Sequence, residues 1–474
     1  MIPLSLHDIA QAVAGEIINT DDTLIVGEIN TDSRSLVTGE LFIALKGPNF
    51  DGHCFIEQVI KQGCCAVIVD HPQAITIPQI VVKDTRLALG KLAAYVKEKV
   101  APKTVGITGS SGKTTVKEMT AAILSRLGNV LATQGNFNND IGVPLTLLRL
   151  TNECDYAVIE MGANHLGEIA YTTNLVKPDV AVINNIAAAH LEGFGDLCGV
   201  ARAKGEIFSG LSADGIALYN QDTRYADKWI WRLSDKNVRK FSCFNKADCY
   251  SSDVVLDDNG CASFKLTTYQ GSTYIELTLP GRHNVCNAVA AAAIALEFGA
   301  SLDDIRLGLA LMSSVKGRLN LYQLTDNIRL IDDSYNANVE SVKAAIALLA
   351  NYPGRQVLIL GDMGELGTDA RCYHQEVGEY AAKQGVSDVY TLGVLSQSTS
   401  DAFIAYNKNA KQIVGAKHFS ARESLLEHLV TQLNGEEQPI SLLVKGSRSA
   451  HMEKVVEQIK MAFSENMPVT QELN

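Results

Sequence analysis

The chain has 474 residues, 46% of them hydrophobic, which is enough to bury the cores of about three domains of ~150 residues each. Its formal net charge of −12 argues against a dedicated nucleic-acid-binding protein, because such proteins usually present a basic face. The start MIPLSLHDIA lacks a basic segment before an apolar run and no eighteen consecutive residues are apolar, so we expect a cytoplasmic protein without membrane insertion.

The first part of the chain, residues 1–84, contains short strand-like runs such as Leu41–Leu45 and Ala66–Val69. A helical linker, Arg86–Val100, leads from it into the next part. We therefore expect a small N-terminal α/β domain over residues 1–84.

In the second part, residues 85–314, apolar strands alternate with helices. The strands are predicted at Val105–Thr108, Tyr156–Ile159 and Val180–Ile183. This alternation is typical of a mostly parallel sheet, so we predict a central α/β domain over residues 85–314.

The third part, residues 315–474, repeats the alternation. Its strands are predicted at Ile328–Ile331, Val357–Leu360, Val389–Leu392 and Leu442–Val444, and each run ends in polar or glycine residues. The sequence therefore predicts an α/β protein of three domains, the last spanning residues 315–474.

Ten cysteines are scattered along the chain, with Cys64 and Cys65 adjacent and no CxxC pair. Neither a disulfide framework nor a zinc site is indicated by this spacing. A reducing cytoplasm fits it best.

A glycine-rich segment, TVGITGSSGKTT at Thr104–Thr115, joins a strand to a helix and is typical of a nucleotide triphosphate site. Gly109 and Gly112 let backbone N–H groups turn toward phosphate oxygens, Lys113 adds a positive charge, and Thr114 can reach magnesium. An ordinary glycine turn is the alternative. The predicted phosphate-binding residues are Gly109, Ser110, Ser111, Gly112, Lys113, Thr114 and Thr115.

The helix after this loop is predicted from apolar residues at helical spacing, namely Val116, Met119, Ile123 and Leu127. Gly128 follows as a stop signal. The N-terminus of such a helix carries a partial positive charge, which favours a bound phosphate.

Polar residues after the strands are the next candidates, because ligands of open parallel sheets lie beyond the carboxyl ends of the strands. Glu160 ends the run YAVIE and can hold magnesium, or it can be a helix-capping acid next to Gly162. His190 follows another strand, although a lone histidine is more often structural.

Lys204 and Asp332–Asp333 stay ambiguous from the residues alone. An unmodified lysine would repel a metal, so the default interpretation of Lys204 is a solvated helix lysine. The two aspartates can bind a ribose or a cation, or they can belong to a turn.

At this point the sequence resembles the muramyl ligases, which build the peptide of the bacterial cell wall, peptidoglycan, in the cytoplasm. The resemblance covers essentially the whole chain. Beyond the phosphate loop it rests on Gly135–Leu148, Asn185–Gly195, Gly281–Ala293 and Gly317–Leu319. Further matching segments are TDSR at Thr31–Arg34, Leu41–Phe55, DDSYNAN at Asp332–Asn338, GDMGELG at Gly361–Gly367 and Val444–Glu453.

The resemblance implies a first domain that holds a UDP-linked substrate, a central ATPase-like domain with a phosphate loop, and a Rossmann-like third domain. It implies a catalytic set of Lys113, Glu160, His190 and Lys204, and magnesium ligands Thr114, Glu160, His190 and Lys204, with Lys204 carbamylated. Asn284 and Asn287 match positions near adenine, and Arg318 and Asp333 match groups that reach phosphate and ribose. In the first domain, Ser33, Arg34, Lys46 and Asp51 match the region that holds the uridine diphosphate.

The segments of the first and third domains resemble the family member that joins D-alanyl-D-alanine to UDP-N-acetylmuramoyl-tripeptide. The resemblance therefore implies these two substrates, with ATP and magnesium, and an acyl phosphate intermediate shielded from water by the third domain. Arg448 is the expected partner of the dipeptide carboxylate, because a guanidinium fork suits a carboxylate. We expect a monomer.

Three alternatives stay open. A GTP-binding switch protein is one, because DLCG at Asp196–Gly199 and NKAD at Asn245–Asp248 follow the phosphate loop in the expected order. Another ligase of the same architecture is the second, since the phosphate loop, Glu160 and Lys204 do not discriminate among such enzymes. A binding protein without catalysis is the third, and it is disfavoured because no expected charged group is missing.

Overall fold

The computed structural model describes residues 1–21, 23–312, 315–410, 414–433 and 436–464. Within these residues, three large sheets follow one another along the chain, with five, nine and six strands, and two further sheets have two strands each. Helices alternate with the strands, which confirms the predicted α/β class.

The first sheet has the strand order β2-β9-β8-β5-β4, in which all neighbours are parallel except β2 and β9. The elements here are β1 Leu4–Ser5, α1 Leu6–Val13, β2 Glu16–Ile18, β3 Ile25–Val26, β4 Ile29–Asn30, β5 Leu41–Ile43, β6 Lys46–Gly47, β7 Phe50–Asp51, α2 Ile56–Lys61, β8 Ala66–Val69, β9 Gln79–Val81 and α3 Thr85–Val100. The linker helix α3 begins after Asp84, whose side chain accepts a hydrogen bond from the N–H of Leu87. Its buried residues Leu89, Leu92 and Val96 belong to a core shared with the first and central sheets.

The central sheet has the order β11-β12-β10-β13-β14-β15-β16-β17-β18. Its elements are β10 Lys103–Thr108, α4 Lys113–Leu124, β11 Val130–Ala132, α5 Gly142–Leu147, β12 Tyr156–Glu160, α6 Glu168–Val176, β13 Val180–Ile183, α7 Leu191–Phe194, α8 Leu197–Gly205, β14 Ile216–Asn220, α9 Ile230–Leu233, β15 Asn237–Ser242, β16 Cys249–Leu256, β17 Cys261–Thr268, β18 Gly271–Pro280, α10 His283–Glu297 and α11 Leu302–Ala310. Strands β10 to β16 pair in parallel, and β16, β17 and β18 form an antiparallel extension. The phosphate-loop strand β10 lies between β12 and β13.

The third sheet has the order β19-β20-β24-β21-β22-β23 and is parallel except at the edge pair β19 and β20. Its elements are β19 Asn320–Gln323, β20 Ile328–Asp333, α12 Val339–Leu349, β21 Arg355–Gly361, α13 Ala370–Lys383, β22 Asp388–Leu392, α14 Gln397–Asn409, β23 Gly415–Phe419, α15 Arg422–Leu433, β24 Ile440–Lys445 and α16 Glu453–Ser464. The predicted domain boundary between residues 314 and 315 involves residue 314, which lies outside the described residues, as do residues 465–474 of the predicted third domain.

The predicted strands match the observed ones closely, whereas two details of the sequence interpretation are wrong. Helix α4 ends at Leu124, before Leu127 and Gly128, because the chain tightens there into a turn in which the N–H groups of Leu127 and Gly128 both bond the Leu124 carbonyl. Cys243 and Cys286 form a disulfide across 43 positions of the chain, although the cysteine spacing indicated no pairing. Their partnership arises from α10 packing against the end of β15.

None of the helices in the described part of the chain combines the length and apolarity that crossing a membrane requires. The longest, α3 and α10, have 16 and 15 residues. Both are elements of the packed cores rather than isolated apolar segments.

Candidate functional site

A cavity of about 640 Å³ lies between the carboxyl ends of the central and third sheets. The phosphate loop, the end of β12 and the segments after β13 line its central side. The segments after β20 and β24 line the other side. Parallel sheets present their strand ends as ligand sites, so two such edges facing each other create room for more than one substrate.

The phosphate loop forms part of one wall of this cavity. The predicted loop residues from Ser110 to Thr115 line the cavity. Gly112 has a φ of +74°, and a Cβ there would collide with the side-chain amide of Asn287, so only glycine fits. The Lys113 ammonium donates to the carbonyl of Gly109 over 2.8 Å, which folds the lysine back over the loop. Burial lowers the Lys113 pKa, and nearby Glu160 acts in the opposite direction.

The segment after β13 holds this loop in shape. Asn185 accepts a hydrogen bond from the N–H of Ser111 over 2.9 Å, and its amide donates to the Ser111 hydroxyl over 3.0 Å. The Ser110 hydroxyl donates to the carbonyl of Ala187 and accepts from its N–H. These bonds join residues more than 70 positions apart, so the loop is positioned by the sheet edge rather than by its own sequence.

Glu160 stands at the end of β12 and is only 2% exposed. One carboxylate oxygen accepts from the Thr114 hydroxyl over 2.9 Å, and the other accepts from the Asn138 amide over 2.7 Å. The alternative of a solvent-facing helix cap therefore does not describe it. A buried carboxylate beside a hydroxyl is an oxygen pair of the kind that magnesium prefers.

His190 and Lys204 come to this side of the cavity from helices α7 and α8, His190 as a lining residue and Lys204 buried behind the lining. His190 is the residue before α7, in a left-handed conformation with a φ of +55°, and it lines the cavity. Lys204 is 1% exposed, and its Nζ has no hydrogen-bond partner among the described residues. Burial, followed by the charge of Lys113, lowers the Lys204 pKa to about 7. The expectation of a solvated helix lysine is therefore wrong.

The predicted adenine residues are buried near the start of α10. The Asn284 amide donates to the carbonyl of Pro280, and the Asn287 amide donates to the Asn284 side-chain oxygen. Asn184, after β13, donates to the Asn287 oxygen over 3.1 Å. Both residues line the cavity, so the structure brings them to the phosphate-loop wall.

The third sheet contributes Arg318, Asp333 and Arg448 to the opposite wall. Arg318 donates to the Thr114 hydroxyl over 2.9 Å, a contact between residues 204 positions apart. Asp333 lies 2.5 Å from the ammonium of Lys445, and both side chains are mostly buried. Arg448 keeps 63% of its side chain exposed.

The four predicted residues of the first domain do not reach this cavity. Among the described residues that line it, Ser33, Arg34, Lys46 and Asp51 do not occur. Arg34 pairs with Asp32, and its side chain is 86% exposed. These four positions stay predictions.

Lys46 and Asp51 belong to a network that the sequence did not reveal. The Lys46 ammonium lies 2.6 Å from Asp70, and Asp51 lies 2.6 Å from His53 Nδ1. His53, Asp70 and His71 each bring one potential metal ligand within 4.8 Å of the others. The lysine charge on the same Asp70 carboxylate opposes a cation at this place.

Several residues of the cavity were missed by reasoning from the sequence. Asn138, Asn184 and Asn185 support the loop and Glu160, and they stand in the segments GNFNND and VINN, where clustered asparagines after a strand were a usable signal. Tyr335 lies under the Arg318 guanidinium at 4.4 Å from its ring centre. No local pattern marks that contact, because the two residues meet only through the fold.

The two motifs that favoured a GTP-binding protein lie elsewhere. Asp196 is the residue before α8, and its side chain accepts from the N–H of Gly199, so DLCG is a helix cap. Asn245 donates to Asp222 in an exposed turn. Within the described residues, neither motif contributes to the cavity wall.

Comparison with protein families gives three matches in chain order. The Mur ligase family catalytic domain matches residues 26–97, the Mur ligase middle domain matches residues 107–295, and the Mur ligase glutamate ligase domain matches residues 317–448. These ranges follow the order of the three large sheets.

Individual relatives match over nearly the full chain. A UDP-N-acetylmuramoyl-tripeptide--D-alanyl-D-alanine ligase of Escherichia coli K12 is 49% identical over 96% of this chain and 98% of its own, and the Haemophilus influenzae protein of the same name is 46% identical over 97% and 99%. A crystal structure of MurF from Acinetobacter baumannii superposes with a TM-score of 0.91 at 39% identity over 97% of this chain and 99% of its own. MurF from Thermotoga maritima in complex with ADP gives 0.82 at 26% identity over 94% and 100%.

Proposed function

The chain belongs to the Mur ligase family, and within that family we infer that it joins D-alanyl-D-alanine to UDP-N-acetylmuramoyl-tripeptide at the expense of ATP. The product is the UDP-linked pentapeptide of peptidoglycan synthesis. The open alternatives of a GTP-binding switch protein and of a ligase with a different amine give way to this function, because relatives of this name match nearly the whole chain.

One observation carries the inference at the level of the site. A phosphate loop with its Lys113 and the buried acid Glu160 faces, across a single cavity, an arginine and an aspartate from another sheet. A nucleotide binder alone needs only the first wall. A ligase must hold a nucleotide and an amine at once, and two facing sheet edges supply both surfaces.

Magnesium and a carbamylated Lys204 are part of the proposal. Thr114 and Glu160 offer oxygen ligands, and His190 offers a ring nitrogen at the same wall. The unpartnered Nζ of Lys204 fits a carbamate, since a neutral amine reacts with carbon dioxide and the product is an anion with two oxygen ligands. When bound, magnesium neutralises charge on the phosphate oxygens.

In the first step, the terminal carboxylate of the tripeptide forms a bond to the γ-phosphorus and ADP leaves, which gives an acyl phosphate. Lys113 and the N–H groups of the loop stabilise the charge that spreads over the equatorial oxygens. Arg318 reaches the same place from the third sheet, because its guanidinium already contacts Thr114.

In the second step, the dipeptide nitrogen forms a bond to the acyl carbon while the bond from that carbon to the phosphate oxygen breaks. Arg448 is proposed to hold the dipeptide carboxylate, because it lines the cavity and 63% of its side chain is exposed beside a loose contact of 3.7 Å with Glu453. Acyl phosphates are lost to water, so the third-domain wall has a chemical as well as a binding purpose.

The remaining assignments complete the proposal. Asn284 and Asn287 are proposed at the adenine and Asp333 at the ribose, while Ser33, Arg34, Lys46 and Asp51 hold the uridine diphosphate. Residues 1–84, 85–314 and 315–474 act as substrate, ATP and closing domains in a cytoplasmic monomer. A substrate that reaches from the first domain to the cavity must be long, as a UDP-linked peptide is.

The experiment that tests the function measures phosphate release with ATP and magnesium. UDP-N-acetylmuramoyl-tripeptide and D-alanyl-D-alanine are added separately and then together, and GTP replaces ATP in a parallel series. Release that requires both substrates, with a pentapeptide product by mass spectrometry, supports the function. Release that ignores both and favours GTP would refute it, and release with a different amine would change the step within the family.

A further inference from the structure

The segment GDMGELG at residues 361–367 follows strand β21 and has no role in the site as described so far. Its Glu365 carboxylate lies 2.5 Å from Nδ1 of His190, and its backbone carbonyl accepts a hydrogen bond from the N–H of Glu192. Both partners belong to the central side of the cavity. The third sheet therefore places one carboxylate directly against the wall where the phosphoryl chemistry is proposed.

The backbone of Glu365 supports a specific placement. Its φ is +60°, in the left-handed region that residues other than glycine adopt infrequently. Glycines, which adopt a positive φ easily, stand close by at 364 and 367. The loop nevertheless has a glutamate at the strained position 365.

Arg448 lies on the neighbouring loop. Strands β21 and β24 are adjacent and parallel, and the N–H of Ser447 donates to the carbonyl of Asp362 over 2.9 Å. A Cβ built on Gly364 would lie 3.5 Å from the Ser447 hydroxyl oxygen. An acidic and a basic side chain, 52% and 63% exposed, thus come from two loops in direct contact.

The carboxylates that line the cavity already have partners within the protein. Glu160 is bonded to Thr114 and Asn138, Asp333 is paired with Lys445, Glu168 accepts from the N–H of Asn164, and Glu340 lies 3.6 Å from the Lys343 ammonium. Glu365 does not line the cavity itself but contacts the lining residue His190, which is a proposed magnesium ligand. His190 can bind a metal through Nε2 while Nδ1 keeps this contact. The contact uses one carboxylate oxygen of Glu365, and 52% of the side chain stays exposed, so the carboxylate can also meet another cation.

The dipeptide is the substrate that brings one. It is a zwitterion, and its nitrogen must come to the acyl carbon beside the phosphate loop, while its carboxylate points away. An acid beside His190 and a base on the adjoining loop match the two charged ends in that order.

We propose that Glu365 binds the ammonium group of the incoming dipeptide, while Arg448 holds its carboxylate. This rests on the proposed function. In the second step, the C–N bond forms, the bond to phosphate breaks, and phosphate takes the electron pair. Because an ammonium has no free electron pair, one proton passes from the nitrogen to water before the attack, and the second leaves on hydrogen phosphate. Glu365 thus recognises and positions the nucleophile.

The test compares Glu365→Gln with wild type, and Glu192→Gln serves as the matched control on the neighbouring, exposed acid. Dipeptide binding is measured by calorimetry with UDP-N-acetylmuramoyl-tripeptide and a non-hydrolysable ATP analogue present, and KM is measured for all three substrates. Loss of a charge-assisted contact should weaken the dipeptide by about 10- to 100-fold. The dipeptide affinity of Glu192→Gln should stay within about twofold of wild type, as for an ordinary surface substitution. The KM values of Glu365→Gln for ATP and for the UDP-linked tripeptide should also stay within about twofold of wild type.

Propanoyl-D-alanine, which lacks the amino group, separates recognition from general damage. Wild type should bind it at least about 10-fold more weakly than the dipeptide, and Glu365→Gln should bind it as wild type does. Arg448→Ala should weaken both compounds, and Glu365→Asp should recover part of the dipeptide affinity. The comparison in wild type alone needs no variant to fold.

Three results would overturn the inference. They are unchanged dipeptide affinity in Glu365→Gln, an equal loss for dipeptide and analogue, or a raised magnesium requirement with normal dipeptide affinity. A wild-type enzyme that makes no dipeptide-dependent product would instead refute the proposed function and the inference with it, so the two failures are distinguishable.

Discussion

The two walls of the cavity differ in how they hold their charged groups. On the central wall, Glu160 is 2% exposed with both carboxylate oxygens hydrogen-bonded, and Lys204 behind it is 1% exposed. On the third-sheet side, Asp333 is mostly buried against Lys445, whereas the side chains of Glu365 and Arg448 are 52% and 63% exposed. The groups of the central wall are in place before a substrate arrives, whereas Glu365 and Arg448 stay largely in water until a substrate covers them.

This difference indicates a division of labour. Charged groups in a dry, fixed setting act strongly on charge that develops during reaction, so the central wall suits transition-state stabilisation. Exposed groups gain strength when a ligand removes their water, so the third-sheet wall suits substrate binding. Changes to the central wall should therefore lower kcat, and changes to the third-sheet wall should raise KM for the dipeptide.

The largest effect is expected from Lys204→Ala. If Lys204 carries the proposed carbamate, its removal takes away a buried anion near the phosphate loop, and kcat should fall by about 10²- to 10³-fold, as for the loss of one preorganised electrostatic group. KM for the dipeptide should stay within about twofold of wild type. Steady-state kinetics with saturating magnesium make the measurement.

Short-chain carboxylic acids provide the rescue arm of this test, because they can restore an anion in the space that the shortened side chain leaves. Arg202→Ala, on the exposed face of the same helix α8, is the matched control and should keep its activity. Full activity of Lys204→Ala without bicarbonate or acids, or an intact mass without the added carbon dioxide, would contradict the carbamate.

The second effect concerns the pH dependence of stability. The Lys204 pKa is lowered to about 7 by burial and by Lys113, whereas an unfolded lysine has a pKa of about 10.4. Between these values the unfolded chain binds more protons, so this residue makes folding more favourable as pH rises, by about 1.4 kcal/mol per pH unit. Below about pH 7, Lys204 is protonated in both the folded and the unfolded chain, so it no longer makes the stability depend on pH.

Lys204→Met isolates this contribution, because it fills similar space without a titrating group. In carbon dioxide-free buffer the variant should have a higher Tm than wild type at about pH 7. The difference between the two free energies of unfolding should narrow by about 2 kcal/mol from about pH 7 to about pH 9. A gap that stays constant over this range would show that the lysine is not neutralised by burial and would weaken the account of the central wall.

The third effect tests the other wall. Arg448→Ala should raise KM for the dipeptide by about 10- to 100-fold and leave kcat nearly unchanged, because the lost contact is a charge-assisted hydrogen bond to a bound carboxylate. Arg448→Lys keeps the positive charge but loses the two-pronged guanidinium, so its KM for the dipeptide should lie between those of wild type and Arg448→Ala. An unchanged dipeptide KM in Arg448→Ala would remove this residue from the binding wall.

The two walls also differ in how far the sequence predicted them. The phosphate loop is contiguous, and Glu160 and His190 stand at or after apolar strands, so local pattern located them. Lys204 was placed only by resemblance, since nothing local distinguishes a buried lysine from a solvated one. The antiparallel strands at 249–280 were missed, although apolar residues alternate with polar ones at Ala262, Phe264 and Leu266 and again at Ile275, Leu277 and Leu279.

The third-sheet wall depends on contacts between distant parts of the chain. Glu365 meets His190 and Arg318 meets Thr114, and no spacing rule connects such pairs. The segment GDMGELG was recognised as characteristic, yet its partner depends on how two sheet edges face each other. The sequence thus predicts which side chains lie at the end of a strand, but it does not predict which of these side chains contact one another.

The smallest effect sharpens the comparison within the third-sheet wall. The Tyr335 ring lies 4.4 Å from the Arg318 guanidinium and 5.9 Å from that of Arg448, so one ring supports an arginine at the nucleotide and an arginine at the dipeptide. Because such cation–π contacts contribute about 0.5–1 kcal/mol at exposed sites, Tyr335→Leu should raise both KM values by about two- to fivefold. Tyr335→Phe keeps the ring and should behave as wild type. If only the ATP constant changes, the ring serves Arg318 alone, and the dipeptide end of this wall is organised by the loops of Glu365 and Arg448 without it.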